Sequence, residues 1–180
     1  MIIHKKYSIL SISLMFLLFS HIAWLWEGFL MMFQYGKFVN RGFLHGFWLP
    51  IYGAGGVILI LALGRRELSK WKVFLYSILI CCSIEYATSF ALEMLFHRKW
   101  WDYGQVWLNL HGRICFFVAV IFGILGYFLV IYIAPFLNKW IQKIPLWIRI
   151  AICLILGGML VIDFLYSFYE PNMGKGITFS

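Results

Sequence analysis

Five long apolar segments constrain this chain more than any other feature of its sequence. They cover residues 7–33, 47–64, 73–97, 114–137 and 146–169, and only the second is short for a helix that crosses about 30 Å of hydrocarbon. Hydrophobic residues make up 63% of the 180 residues and charged residues 12%, about half the charged share of a soluble domain. The sequence therefore predicts an all-α, polytopic membrane bundle of about five transmembrane helices, built as a single domain over residues 1–180.

The first and second segments each need a local interpretation. Residues 1–6 and the apolar run after them superficially suggest a signal peptide, but the run 7–33 is too long for one, and no small-residue cleavage site follows it. We therefore expect a retained first helix. The second segment contains Pro50 and three nearby glycines, which predicts a bent or closely packed helix entrance.

The net charge of +8 is assigned to membrane loops rather than to a nucleic-acid surface. If the N-terminus is cytoplasmic, nine Lys and Arg residues lie on its side of the membrane and six on the other. The nine are Lys5, Lys6, Arg65, Arg66, Lys70, Lys72, Lys139, Lys143 and Arg149. This bias predicts a cytoplasmic N-terminus and an extracytoplasmic C-terminus in a bacterial cell membrane, and it defines the outer side.

The segment between the third and fourth helices has a different composition. It mixes aromatic residues with charged and polar ones: Trp100, Trp101, Tyr103 and Trp107 among Arg98, Lys99, Asp102, Asn109 and His111. Amphipathic rings of this kind sit at headgroup depth. We expect an amphipathic outer-side loop or short helix that lies on the membrane and dips into the protein.

Polar residues recur every four positions along the third helix: Ser77, Cys81, Glu85, Ser89, Glu93 and His97. Steps of four drift by only about 40°, so these side chains form one slowly winding stripe. An ionisable group at the bilayer centre costs roughly 2.5–3.5 kcal/mol. The stripe is therefore expected to face protein or water, and Glu85 must pair with a cation or stay protonated.

Further ionisable residues fall in the outer half under the predicted topology. Arg113 is expected to pair with Glu85, Glu93, Asp102 or an anionic ligand, because Arg binds carboxylate and phosphate in a bidentate manner. The candidates for binding substrate or lining a cavity are Glu27, Arg41, Tyr52, Glu85, Ser89, Glu93, Asp102, Asn109, His111, Arg113 and Asp163. Two interpretations stay open: a functional cavity, or ion pairs that only hold helices together.

Metal, disulfide and catalytic signals are weak. The four cysteines (Cys81, Cys82, Cys115 and Cys153) lie in apolar runs without a C-x-x-C pair, and are interpreted as small hydrophobic residues. His97 and His111 with Glu93 and Asp102 do not form a recognised metal motif, and no G-x-S-x-G sequence is present. No catalytic residue, metal or cofactor is assigned.

Three sequence blocks resemble a family of small bacterial membrane proteins described as Putative ABC-transporter type IV. They read RGFLHG (41–46) with LPIYG (49–53), EYATS (85–89) with LE (92–93), and WWDY (100–103) with NLHGRI (109–114). The resemblance covers roughly residues 24–135. The chain departs from the family pattern at His45, Phe47 and Gly104, where members commonly have Tyr, Pro and Ser.

The resemblance implies a permease-like component. The chain has no G-x-x-x-x-G-K-[ST] motif, so any ATP hydrolysis would need a separate ATPase. A separate ATPase or a second permease subunit is therefore an expected partner. The favoured hypothesis is a permease that handles an amphipathic or anionic envelope-related substrate through an outer-half polar cavity. The alternatives are a membrane enzyme that acts on a lipid-linked substrate, and an assembly protein without transport. The small size predicts a homo- or hetero-oligomer, and nucleic acid is not expected as a partner.

Overall fold

Five helices make up the protein in a computed structural model that describes residues 7–64 and 67–172. They are α1 (Ile9–Tyr35), α2 (Pro50–Leu63), α3 (Lys70–Phe96), α4 (Phe116–Lys143) and α5 (Leu146–Tyr169). All except the 14-residue α2 are long and apolar enough to cross a membrane. The predicted all-α membrane bundle of about five helices is confirmed. A short hairpin, β1 (Asn109–Leu110) and β2 (Ile114–Cys115), lies between α3 and α4.

The second and fourth helices have bounds that differ from the predicted ones. The second helix begins at Pro50 rather than at residue 47, because proline needs no hydrogen-bond acceptor at the first helical position. The fourth begins at Phe116, after β2, and continues to Lys143 rather than ending at residue 137. Its polar last turns form an amphipathic end, in which the Lys143 ammonium lies 4.3 Å from the centre of the Trp140 ring.

A five-residue π-helical turn, Leu129–Ile133, interrupts α4 just before Pro135. Proline cannot donate a backbone hydrogen bond and its ring crowds the preceding turn, so the wider turn relieves the clash.

The connection between α1 and α2, residues 36–49, folds back along α1. The backbone N–H of Leu49 donates to the Ser20 carbonyl at 3.0 Å, and His21 Nδ1 lies 3.1 Å from the Phe47 carbonyl oxygen. Ser20 is about 22 Å along the helix axis from Tyr35, the last residue of α1. Loop 36–49 and α2 together therefore cover the length that α1 covers alone, which explains why α2 is short.

The connection between α3 and α4, residues 97–115, also returns along the helix before it. His111 and Gly112 have φ of 55° and 70°, and the Arg113 N–H donates to the Leu110 carbonyl at 3.0 Å. Positive φ at both central residues is typical of a type I′ turn, and because Leu110 pairs with Ile114, three residues connect the two strands. The predicted amphipathic segment is thus a loop that carries a hairpin, and it contains no helix.

The two loops meet each other and the end of α5 at one end of the bundle, which we call the two-loop end. The ring of Phe43 lies 5.2 Å from Phe96, 5.6 Å from Trp100 and 6.3 Å from Phe164, measured between ring centres. Leu44 and Trp48 are buried against α1 and α5. The loops are therefore part of the packed protein.

The prediction of membrane orientation rests partly on Lys5, Lys6, Arg65, Arg66 and Lys175, which lie outside the described residues. The alternation of the helices places both loops and the end of α5 together. Which side of the membrane this end faces stays a prediction.

Close packing at Gly53 can be tested by comparison with Gly55 in the same helix. A Cβ at Gly53 would lie 2.6 Å from the Phe16 carbonyl oxygen and would also overlap Ser20, whereas a Cβ at Gly55 meets nothing within 4 Å. We expect Gly53→Ala to lower the free energy of unfolding by about 1–3 kcal/mol. Gly55→Ala should be neutral or stabilising by up to about 1 kcal/mol. Thermal unfolding in detergent measures both, and equal effects would contradict the packing of loop and α2 on α1.

Candidate functional site

The polar stripe of α3 faces the protein interior over much of its length. Ser77 is fully buried, Ser89 is 3% exposed and Glu85 is 8% exposed. Ser77 lies against Gly126 of α4, and Glu85 and Glu93 are covered by loop 97–115. The predicted burial of the stripe follows from its four-residue spacing, because no other face of α3 carries comparable polarity.

Three polar side chains from different elements surround two carboxylates at the two-loop end. The Tyr52 hydroxyl donates to Glu27 Oε1 at 2.8 Å, and Arg41 Nη1 lies 3.5 Å from Glu27 Oε2. The Tyr103 hydroxyl donates to Glu85 Oε1 at 3.3 Å. Glu27 and Glu85 are near enough for their charges to interact. We call Glu27, Arg41, Tyr52, Glu85 and Tyr103 the polar cluster.

Three helices and both loops contribute residues to the polar cluster. Glu27 and Glu85 project from α1 and α3, Tyr52 stands in the first turn of α2, and Arg41 and Tyr103 come from the two loops. Because α2 begins near the middle of α1, its first turn reaches Glu27. Burial, and then the Glu85 and Glu27 carboxylates, raise the pKa of the Tyr103 phenol far above its usual value. Tyr103 therefore keeps its proton and acts as a hydrogen-bond donor to Glu85.

A second charged pair joins the hairpin to α3. Arg113 Nη2 donates to Glu93 Oε2, and the guanidinium lies 5.4 Å from the centre of the Tyr86 ring and 5.5 Å from that of Phe90. His111 Nδ1 lies 2.8 Å from the Tyr86 hydroxyl. Of the four partners considered for Arg113, the structure selects Glu93.

Asn109 and Asp102 use their polar atoms to shape loop 97–115. Asn109 donates to the carbonyls of Gly104 and Val106 and accepts from the Gly112 N–H. Asp102 accepts from the Gly104 N–H at 2.7 Å and pairs with Lys99 at 3.9 Å. Their described partners are all within the loop, and neither bonds to a residue of the polar cluster.

Asp163 fixes the other loop. Its two carboxylate oxygens accept the backbone N–H groups of His45 and Gly46 at 3.1 and 3.0 Å, and the Ser167 hydroxyl donates to it at 3.2 Å. Asn172 donates to three carbonyls of the same loop. The described partners of Asp163 are thus loop and α5 groups, and it stands apart from the polar cluster.

Three contributors were not among the predicted site residues: Tyr103, Ser167 and Asn172. Tyr103 was assigned to the aromatic surface segment, and its WWDY block was the available signal. Ser167 lies one helical turn beyond Asp163, which the four-residue spacing indicates. Asn172 follows α5 and carries no pattern that links it to residues 130 positions earlier.

A cavity of about 430 Å³ lies at the two-loop end, between loop 36–49, the end of α3 and the end of α5. It is lined by His45, Phe96, Arg98, Trp100, Tyr169, Glu170 and Pro171. None of the eleven predicted site residues lines it. Within residues 7–64 and 67–172, no three His, Cys, Asp or Glu side chains are grouped as metal ligands, and the four cysteines are free thiols.

A family model described as Putative ABC-transporter type IV matches residues 14–168. The chain belongs to this family. The match includes all five helices in whole or in large part, and both loops, so the resemblance seen in the three sequence blocks is confirmed. No curated protein and no solved structure matches the chain. Family and helices together make it a multi-pass, transporter-like membrane protein.

The Arg113–Glu93 pair can be tested with a double-mutant cycle. Arg113→Gln leaves the Glu93 carboxylate partly buried without its cation, so we expect the free energy of unfolding to fall by about 1–3 kcal/mol. Adding Glu93→Gln should restore most of that loss. Lys99→Gln is the control, because its pair with Asp102 is longer and more exposed, and should change stability by less than about 1 kcal/mol. Additive losses at positions 93 and 113 would rule out the pair.

Proposed function

We propose that this protein is the membrane-spanning, permease-like component of a transport assembly and that it handles an amphipathic envelope molecule at the two-loop end. The observation that carries the proposal is the polar cluster, in which two dipping loops bring Arg41 and Tyr103 to carboxylates on α1 and α3. Irregular backbone at membrane depth is tolerated where it is buried in protein or lines a polar site, and in transporters such broken spans form substrate sites.

Contacts within the protein separate two groups among nine of the eleven predicted site residues. Glu93, Asp102, Asn109, Arg113 and Asp163 are committed to holding the loops, which supports a structural role for them. Glu27, Tyr52, Glu85 and Ser89 remain the candidates for contact with substrate. Since Arg41 and Arg113 both have carboxylate partners, the geometry supports the amphipathic part of the predicted substrate more than the anionic part.

The assembly requires an ATPase or a second permease, and we propose that it docks at the end opposite the two-loop end. This end carries Lys70, Lys72, Lys139 and Lys143 next to the helix ends. The positive-inside bias supports a cytoplasmic position for this end, where ATP is available. The two-loop end then faces outward, toward the envelope.

The test is purification of the tagged protein from its own host's membranes in a mild detergent, followed by native mass spectrometry. We expect an ATPase or second permease to be retained with the wild type and lost with Lys70→Glu/Lys72→Glu, because an acidic patch would repel a complementary acidic surface. Lys37→Glu is the matched control, since it reverses an exposed lysine near the two-loop end. If the wild type retains neither partner and moves no substrate in proteoliposomes, the permease proposal fails.

A further inference from the structure

Glu85 differs from Glu27, Glu93, Asp102 and Asp163 in how its charge is compensated. Glu27 and Glu93 each face an arginine, Asp102 faces Lys99, and Asp163 accepts two backbone N–H groups. Glu85 has the Tyr103 phenol as its hydrogen-bond partner. Within residues 7–64 and 67–172, no Lys, Arg or His nitrogen lies within 4 Å of its carboxylate.

The charge of the polar cluster is therefore unbalanced. With both carboxylates ionised, Glu27 and Glu85 carry two negative charges against the single positive charge of Arg41, and Arg41 contacts Glu27. Glu85 is also the most buried of the described acids. A buried carboxylate of this kind requires a proton or a cation to balance it.

Ser89 supplies an independent observation at the same place. Its side-chain oxygen is buried and has no hydrogen-bond partner in the described structure. The serine hydroxyls at Ser20, Ser77 and Ser83 each donate to the carbonyl four residues earlier, at 2.7–2.8 Å. Ser89 makes no such bond, although the Glu85 carbonyl is four residues earlier. Its hydroxyl is therefore left for another partner, one helical turn from the Glu85 carboxylate and on the same face.

We infer that Glu85 and Ser89 bind a monovalent cationic group, either an alkali cation or the ammonium group of a substrate. Both are positively charged, and both are bound by oxygen atoms of the kind gathered here: a carboxylate, a serine hydroxyl and a phenol oxygen. This inference rests on the proposed function. It assigns the positive charge that balances the Glu85 carboxylate to a bound alkali cation or to the ammonium group of a substrate.

The test is thermal unfolding of the purified chain, followed by its nine tryptophans, in salts of equal ionic strength. Choline chloride is the reference, sodium chloride probes an alkali cation and propylammonium chloride probes an ammonium group. We expect at least one probe to raise the wild-type melting temperature by about 3 °C or more relative to choline. A response to sodium alone indicates an ion, and a response to propylammonium alone indicates a substrate ammonium group.

Three variants place the effect at the site. Glu85→Gln should melt at or above the wild-type temperature in choline and should not respond to the probes, because it removes the uncompensated charge. Ser89→Ala should keep a response but require about tenfold more probe, the loss expected for one hydrogen bond to a charged ligand. Glu93→Gln is the matched control, the same substitution on the same stripe at a paired position, and should respond as the wild type does.

Two results would overturn the inference: a wild type that melts at the same temperature in all three salts, or a Glu85→Gln variant that still responds. If Glu85→Gln does not fold, the deciding variant is Ser89→Ala. The inference is then overturned if Ser89→Ala responds at the same probe concentration as the wild type. Because the isolated chain is measured, failure to retain an ATPase leaves this result intact. Likewise, a protein whose melting temperature does not change with the added cation can still retain its ATPase or second permease.

Discussion

Backbone N–H and carbonyl groups that leave a helix at membrane depth must find partners inside the protein, and this constraint organises the two-loop end. The cost of an unpaired backbone group in hydrocarbon is several kcal/mol. In loop 36–49, the side chains of Asn40, Asp163 and Asn172 satisfy groups between Gly42 and Gly46. Asp163 belongs to α5 and Asn172 follows it, so these contacts hold the last helix against loop 36–49.

The two loops are held to the preceding helices by the same kind of contact. In each case, a long helix is followed by a loop that returns along it, and an arginine of the loop pairs with a glutamate of that helix: Arg41 with Glu27, and Arg113 with Glu93. Each pair compensates the charge of a glutamate near the two-loop end of its helix and fixes the loop that follows that helix. Glu85 has no arginine partner of its own in the described structure, and for this reason we propose it as the cation-binding position.

The sequence predicts the helices better than the loops, for a physical reason. An apolar run reports directly on whether a segment can span hydrocarbon, and four-residue spacing shows that Glu85 and Ser89 share a buried face. The depth of Phe47 has no such signal, because it depends on a hydrogen bond between Leu49 and Ser20. Asp163 shows the same limit: its polarity predicts a special role, but its partners, His45 and Gly46, lie more than 110 residues away.

Everything proposed for the polar cluster depends on loop 36–49 lying deep beside α1, and spin-label depth measurement in liposomes tests this directly. Single labels at Ile22, Phe33 and Phe47, all exposed side chains, would be placed in a background without the four native cysteines. The labels at 22 and 33 lie about 16 Å apart along α1 and calibrate depth. If the label at Phe47 lies at the same depth as the label at Ile22, the structure is supported. If it lies at the same depth as the label at Phe33, the loop lies at the membrane surface and the polar cluster does not form.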